Sequence, residues 1–536
     1  MKALKITIIA LLAGFSMASC DFLDKEPTKL TPENYFNTPA EANSFLTGVY
    51  AILSQPTFYG GDYMYLVAGD DLSHYGGSGR GPASTGLICN NATTSDNAVT
   101  AFWYALYSGI NRANMFLENI DKVNGFDAGV KEQYIAEARF LRAFYYFNLV
   151  ECWGDVPFKT VSTQSVTNLN IPRTDKQEIY DFIVSEMADA AETGLKSASD
   201  LAYKPGRISQ STAWGILARV YMFRAGEHYR EGRNATQAEK KDYFERASFY
   251  AQKVMTAGHK LAANYWDPFI DMCSDKYNTT ANESIWEAEF IGNRTADGIG
   301  NYTDGRIGNV IGNLQKCTKS TGNGYGYGFY AATLILWDLF DKNDKRRDLS
   351  IAPYWYDVND NKKTWTNKQI VQRSCGKFRR EWESSSMKDK SYTPENYPIL
   401  RYGDVLLMLA EAENEAHQGP TDLAYECINE IRQRAGISKL EGLSYTDFQQ
   451  AVRDERAREL CFESLRKYDL VRWGIYVEAI HDKLGAATQD KRWATGNQFI
   501  GARDYAARTQ EKHQFLPIPT KELDVNGKLE QNKYWQ

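Results

Sequence analysis

Apolar residues recur at helical spacing over several long stretches of the chain. Between Lys131 and Val150, the residues Ile135, Ala138, Leu141, Tyr145 and Leu149 fall on one face, and Gly154 and Pro157 end the pattern. A second stretch starts at Ser209, a good N-cap, and runs through Ala213, Leu217, Val220 and Tyr221 to Gly226, a good stop. From Tyr402 to Ala435 the chain reads helix, Gly419-Pro420 turn, helix, with Val405, Leu406, Leu409 and Ala410 on the first and Leu423, Ile428 and Ile431 on the second. That unit has the length of a tetratricopeptide repeat, about 34 residues. A similar pair, Ala213 to Gly226 and Tyr243 to Ala257, carries an insertion in its turn. Stacked helical pairs of this kind bury a continuous core, so the expectation is a mostly α-helical scaffold.

Two regions break the pattern. Residues Gln55 to Asn97 are rich in Gly, Ser, Thr, Asn and Tyr, and Asp267 to Tyr330 holds many Gly with interleaved aromatics. Irregular loops on a rigid scaffold commonly carry function. No Pro-, Gly- or Ser-rich linker divides the chain, so one large unit is expected from residue 20 to 536. Its helical scaffold should occupy approximately 30–55, 98–260 and 400–475, its loop-rich binding part 56–97 and 261–400, and a C-terminal segment 476–536.

The amino terminus reads as an address. Lys2 and Lys5 precede an apolar run from Ile6 to Phe15, then Ser16-Met17-Ala18-Ser19 and Cys20, the form of a secretory signal peptide over residues 1–19. The run is shorter than the roughly 20 residues a membrane-spanning helix needs. Cys20, directly after the small residues, resembles the acylated cysteine of a bacterial lipoprotein, whose several acyl chains give durable anchoring.

Composition removes several classes. The net charge of −6 and the scattered Lys and Arg leave no electrostatic footprint for nucleic acid. The cysteines after Cys20 are widely spaced, with no Cys-x-x-Cys pair, so neither a zinc site nor a disulfide framework is expected; Cys427 and Cys461 read as small core residues. His74, His228, His259, His417, His481 and His513 are isolated, and no metal, cofactor-binding loop or serine-hydrolase elbow is predicted. Glu455, Glu459 and Glu463 recur every four residues with Arg456, Arg458, Arg466, Arg472 and Asp469 among them. One helix face does not supply two carboxyls flanking a sugar from opposite sides, so the cluster reads as an ion-pair seam and not a glycosidase centre. A pair formed by Asp70 or Asp71 with a distant acid stays open at this level.

Aromatic content, 13% with 34 Tyr and 12 Trp, suits both helix packing and stacking on sugar rings. The early loop offers Tyr59, Tyr63 and Tyr75 with Asp71 and Arg80, and the later one ends in Tyr325-Gly326-Tyr327-Gly328, where glycines let the backbone bend and expose the rings. These seven residues, Tyr59, Tyr63, Asp71, Tyr75, Arg80, Tyr325 and Tyr327, are the expected ligand contacts. Trp266, Trp286, Trp355 and Trp365 carry less of that expectation, Trp103 reads as core, and Ala331 to Asp341 with Trp337 reads as a scaffold helix.

Several long blocks resemble the SusD/RagB family in the family's order. They are "CDFLDKEPTKLTPENYF", "AEARFLRAFYYFNLV" followed by "WGDVP", "RYGDVLLMLAEAENEA", "INEIRQRAG", "ERARELCFESLRKYDLVRWG" and "LPIPTKELDVNGKLEQNKYW". The resemblance implies a mostly α fold in which a tetratricopeptide-like scaffold carries an irregular, loop-rich ligand-binding part. It implies a lipid-anchored, cell-surface protein of the outer membrane that binds oligosaccharide or polysaccharide without cleaving it, and a SusC-like TonB-dependent transporter as partner. A peptide ligand, as in some relatives, is the nearest alternative; a glycoside hydrolase and a scaffold that binds only protein stand behind it.

Overall fold

The computed structural model describes residues 35–61, 63, 70–76, 90–165, 169–226, 235–290, 305–384, 387–494 and 497–536. Cys20 and Arg80 lie outside them. The chain is mostly α-helical, and its scaffold is two helical blocks packed against each other.

The first block contains α1 (Pro39–Tyr50), α2 (Asn97–Asn119), α3 (Val130–Trp153), α4 (Lys176–Thr193), α5 (Gln210–Arg224) and α6 (Gln237–Met255). From α2 onward each helix packs on the next. Local chemistry sets their starts. Thr38 and Glu41 form a reciprocal capping box at α1, as Thr236 and Glu239 do at α6. Asp96, Asp175 and Ser209 accept backbone N–H bonds at the starts of α2, α4 and α5. The sequence predicts one apolar face for α3; instead, every residue from Phe140 to Val150 is buried, because α3 lies between neighbours on all sides. Gly109 of α2 makes one of these approaches possible. A Cβ there would stand 2.6 Å from the Tyr145 ring, which is pinned by a 2.6 Å bond from its hydroxyl to the Val49 carbonyl.

After a long excursion the chain returns to helix. A short helix, α7 (Leu334–Leu339), precedes α8 (Tyr402–His417), α9 (Asp422–Ala435), α10 (Tyr445–Leu460) and α11 (Arg466–Arg472). α8 packs on α6 and on α5, where Asp404 meets Arg219 at 2.7 Å, joining the blocks, and also on α9 and α10. The expected helix over Ala331 to Asp341 is shorter than predicted. Ala331 and Ala332 belong to a strand, and the Thr333 side chain caps the helix by accepting from the Leu336 N–H.

The excursion supplies the strands. β1 (Ser73–Tyr75) pairs antiparallel with β5 (Tyr330–Ala332), which ties the early loop to the later one. β2 (Ser284–Ala288) pairs with β8 (Tyr397–Arg401). A four-stranded sheet runs in the order β4 (Tyr325–Gly326), β3 (Gln315–Lys316), β6 (Tyr354–Tyr356), β7 (Lys362–Thr364), with only the β3–β6 contact parallel. One large apolar core runs beneath both parts.

The glutamates that recur along α10 and just past its end are buried in an ion-pair seam; Arg458 of the same helix bonds Glu455 at 2.9 Å, and the other partners come from elsewhere in the chain. Glu455 meets Arg346 at 2.7 Å and Arg432 at 2.9 Å; Glu459 meets Arg434 at 2.5 Å and Arg346 at 3.1 Å; Glu463 meets Lys377 at 2.6 Å and Arg401 at 2.8 Å. The cysteines at 152, 273, 317, 375, 427 and 461 are free and buried. Among the described residues no helix is long and apolar enough to cross a membrane.

Candidate functional site

The expected ligand contacts separate into two groups. Tyr59 and Tyr63 belong to the core: they are 4% and 5% exposed, and Tyr59 stacks on Tyr397 with ring centroids 4.5 Å apart. The cavity they line with Glu151, Arg219 and Tyr468 holds about 20 Å³, room for a water molecule and far less than a sugar ring. Asp71 is equally enclosed. Arg466 donates to its two oxygens from Nε and Nη2, both at 2.8 Å, and the Thr333 hydroxyl donates to its carbonyl at 2.7 Å. A Tyr- and Gly-rich segment reads as a surface loop, but these three side chains face inward.

Tyr75, Tyr327 and Tyr325 come together instead. Tyr75 packs against Phe329 at 5.1 Å, Phe329 stacks on Tyr327 at 4.5 Å and 9°, and Tyr327 meets Tyr325 edge-on at 5.0 Å. The ladder emerges from the core: Tyr75 and Phe329 are buried, while Tyr325 and Tyr327 are half-buried. Burial and then the neighbouring Tyr327 raise the Tyr325 hydroxyl above its ordinary pKa, so it is a neutral donor and acceptor at physiological pH.

The glycines here have distinct roles. Gly324 and Gly328 have φ of +90° and +55°, which L side chains rarely adopt. A Cβ on Gly326 would meet the Asn313 carbonyl oxygen at 2.6 Å. Asn309, fully buried, then fixes the segment. Its Nδ2 donates to the Tyr325 carbonyl at 3.0 Å and to the Lys390 carbonyl at 2.9 Å, and its own carbonyl accepts from the Tyr327 N–H at 2.7 Å. Arg380, also buried, donates to the Tyr325 carbonyl at 2.8 Å.

Strand alternation determines what surrounds Tyr325. Paired residues on adjacent strands share a sheet face, and successive residues alternate. Tyr325 pairs with Lys316 and Trp355 with Lys363, whereas Gln315 pairs with Gly326 and with Tyr356. One face therefore presents Tyr325, Lys316, Trp355 and Lys363, and Trp365, two residues beyond Lys363, joins it with its indole 5.6 Å from that of Trp355. Both indoles are half-buried. The opposite face carries Tyr354 and Tyr356; Tyr354 is hydrogen-bonded to Glu381. The sequence alone gives Trp355 and Trp365 little weight as ligand contacts, although Tyr354-Trp355-Tyr356 followed by an Asp/Asn-rich turn is a recognisable strand and hairpin signal. Asn309 and Arg380 carried no comparable signal, since their role is a set of bonds to distant carbonyls.

This face can stack on flat apolar rings and hydrogen-bond around them. A larger cavity, about 560 Å³, lies among α5, α6, α8, α10 and α11, where Phe244 and Tyr445 line it together with the Trp473 indole. That indole is surrounded by Arg453, Arg466 and Arg472 at 5.1, 5.4 and 4.9 Å, the last two held in buried ion pairs, which leaves little ring face to a ligand. Asp70, raised to about 6 by burial and then by Asp71, accepts from the Leu72 and Ser73 N–H groups and the Ser73 hydroxyl. With Asp71 held by Arg466, neither carboxyl is open to a substrate. Among the described residues no cluster of His, Cys, Asp and Glu could hold a metal ion.

Comparison with known proteins agrees along the chain. Residues 282–535 match the model of the SusD family, and residues 21–222 match one described as starch-binding, associating with the outer membrane. A SusD-like protein of Formosa agariphila is 28% identical, over 99% of this chain and 98% of its own. The starch-binding protein SusD of Bacteroides thetaiotaomicron is 23% identical over 79% of this chain and 76% of its own. The crystal structure of a SusD homologue from Bacteroides thetaiotaomicron superposes with a TM-score of 0.80 at 29% identity, covering 95% of this chain and 99% of that one. A laminarin-binding SusD-like protein shares the fold, with a TM-score of 0.70 at 24% identity, covering 93% of this chain and 100% of that one. The helical blocks, the order of the sequence motifs and these matches agree: the chain belongs to the SusD/RagB family.

Proposed function

We propose that the protein is a glycan-binding lipoprotein of the outer-membrane surface. It captures oligosaccharide or polysaccharide and passes it, uncleaved, to a SusC-like TonB-dependent transporter. The observation that carries this reading is the half-exposed aromatic face of the four-stranded sheet, where Tyr325, Trp355 and Trp365 offer ring surfaces on a framework held by Asn309 and Arg380. Tyr325 and Tyr327 are the expected contacts best placed to meet ligand, with Tyr75 supporting them from beneath; Arg80, outside the described residues, is proposed as a further ligand contact. Glycan as the ligand class is supported by the family description and by the names of the relatives. The absence of catalysis is supported by the engagement of Asp70, Asp71, Glu455, Glu459 and Glu463 in structural bonds. Acylation at Cys20 would keep a binder of modest affinity beside its transporter at high effective concentration.

The test uses membranes from cells expressing the full chain. Wild type should fractionate with outer membrane and copurify in detergent with a large β-barrel, and Cys20→Ala should be released while binding the same glycan. Purified protein incubated with that glycan should produce no new reducing ends. Steady release of reducing ends, or saturable binding of peptides with no binding of any glycan, would refute this reading.

A further inference from the structure

The aromatic face carries charge that a platform for neutral sugar does not need. The Lys316 ammonium stands 4.8 Å from the centre of the Trp355 ring, and the Lys390 ammonium stands 5.2 Å from that of Tyr325. Lys316 and Tyr325 are direct partners across β3 and β4, so both cations border the same patch. Lys316 and Lys390 are exposed, and neither has a carboxylate partner among the described residues.

The four strands of this sheet contain no acidic residue. The acids near them are already engaged. Asp357 accepts from the Asn359 and Asn361 N–H groups at 2.9 Å and pairs with Lys363 at 3.2 Å. Asp360 accepts from the Asn323 N–H and side-chain amide, each at 3.2 Å. Glu381 is bonded to Tyr354 and lies 3.8 Å from Arg379. Among the described residues, Lys316 and Lys390 are therefore the uncompensated charges of the face. The Lys390 backbone is also held beside that of Tyr325, because Asn309 bonds both carbonyls.

A cation over a ring face competes with whatever would stack there. A neutral pyranose must displace the ammonium from the ring and gains no charge interaction in return. A sugar carrying an anion can stack with its C–H face while its charged group draws the ammonium aside into a charge-assisted hydrogen bond. Resting on the glycan reading above, we infer that the ligand is an acidic glycan whose carboxylate or sulfate groups are received by Lys316 and Lys390.

Titration calorimetry on the full mature chain tests this with four sets of oligosaccharide probes: galacturonides for carboxylate, sulfated fucans for sulfate, and maltooligosaccharides and laminarin fragments for neutral sugar. An acidic set should bind, with affinity falling as salt rises from about 50 mM to about 300 mM. Lys316→Gln with Lys390→Gln should weaken it about tenfold or more at low salt. Lys316→Arg with Lys390→Arg should retain it, at an unchanged melting temperature. Whichever acidic set responds identifies the anion. Binding of a neutral set only, or acidic binding that the double Gln substitution leaves unchanged, overturns the inference while leaving the glycan reading in place. Failure of the folded protein to bind any of the probes counts against both.

Discussion

Arg466 grips Asp71 through two bonds of 2.8 Å, joining the segment that leads into β1 to the start of α11. A carboxylate that reads as a sugar contact is thus a clamp between the loop-rich part and the scaffold. Removing one partner leaves the other charge buried and unpaired, so Asp71→Ala should lower stability by about 3–5 kcal/mol. Chemical denaturation measures that loss. At a temperature where the variant remains folded, its affinity for glycan should match wild type, which a direct contact would not allow.

The seam along α10 predicts how the protein fails in acid. Burial alone would raise the Glu459 pKa, but Arg434, Arg401 and Arg346 outweigh it and lower the value to about 2. A carboxylate depressed in the folded state contributes stability fully above its unfolded pKa, near 4.5, and loses it as pH falls toward 2. Unfolding free energy measured against pH should drop through that window. Glu459→Gln should cost about 3–5 kcal/mol at neutral pH and flatten the slope.

Glu151 predicts the opposite dependence. It lines the small cavity beside Tyr59 and Tyr63, and burial raises its pKa to about 8 despite Arg219. Between pH 4.5 and 8 the folded state retains a proton that the unfolded chain has lost, so this group lowers stability as pH rises. Glu151→Gln should therefore raise the melting temperature at pH 8 and change it little near pH 4.5. An equal shift at both values would show that the side chain acts through packing and not through charge.

What the sequence reveals follows from the range of each signal. The helices over 131–150, 209–226 and 402–435 were legible because apolar spacing, caps and the Gly419-Pro420 turn are local. The recurring glutamates were legible as a seam, but their partners Arg346, Arg401, Arg434 and Lys377 were not, since each lies far away in the chain. The early loop misled for the same reason. Tyr59, Tyr63 and Asp71 have the composition of a surface site, and only their long-range partners, Tyr397 and Arg466, reveal that they face inward. Tyr325 and Tyr327 stand out because their glycines constrain the backbone locally. Trp355 and Trp365 join them only through strand pairing, which spacing along the chain does not display.

The proposed function turns on the half-buried aromatic face of the sheet receiving the glycan. Its most direct test is titration calorimetry of wild type against a Tyr325→Ala, Trp355→Ala double variant, using the tightest-binding oligosaccharide. The prediction is saturable binding by wild type and a loss of about tenfold or more in the variant, with the melting temperature unchanged. Full affinity in a folded double variant would contradict it.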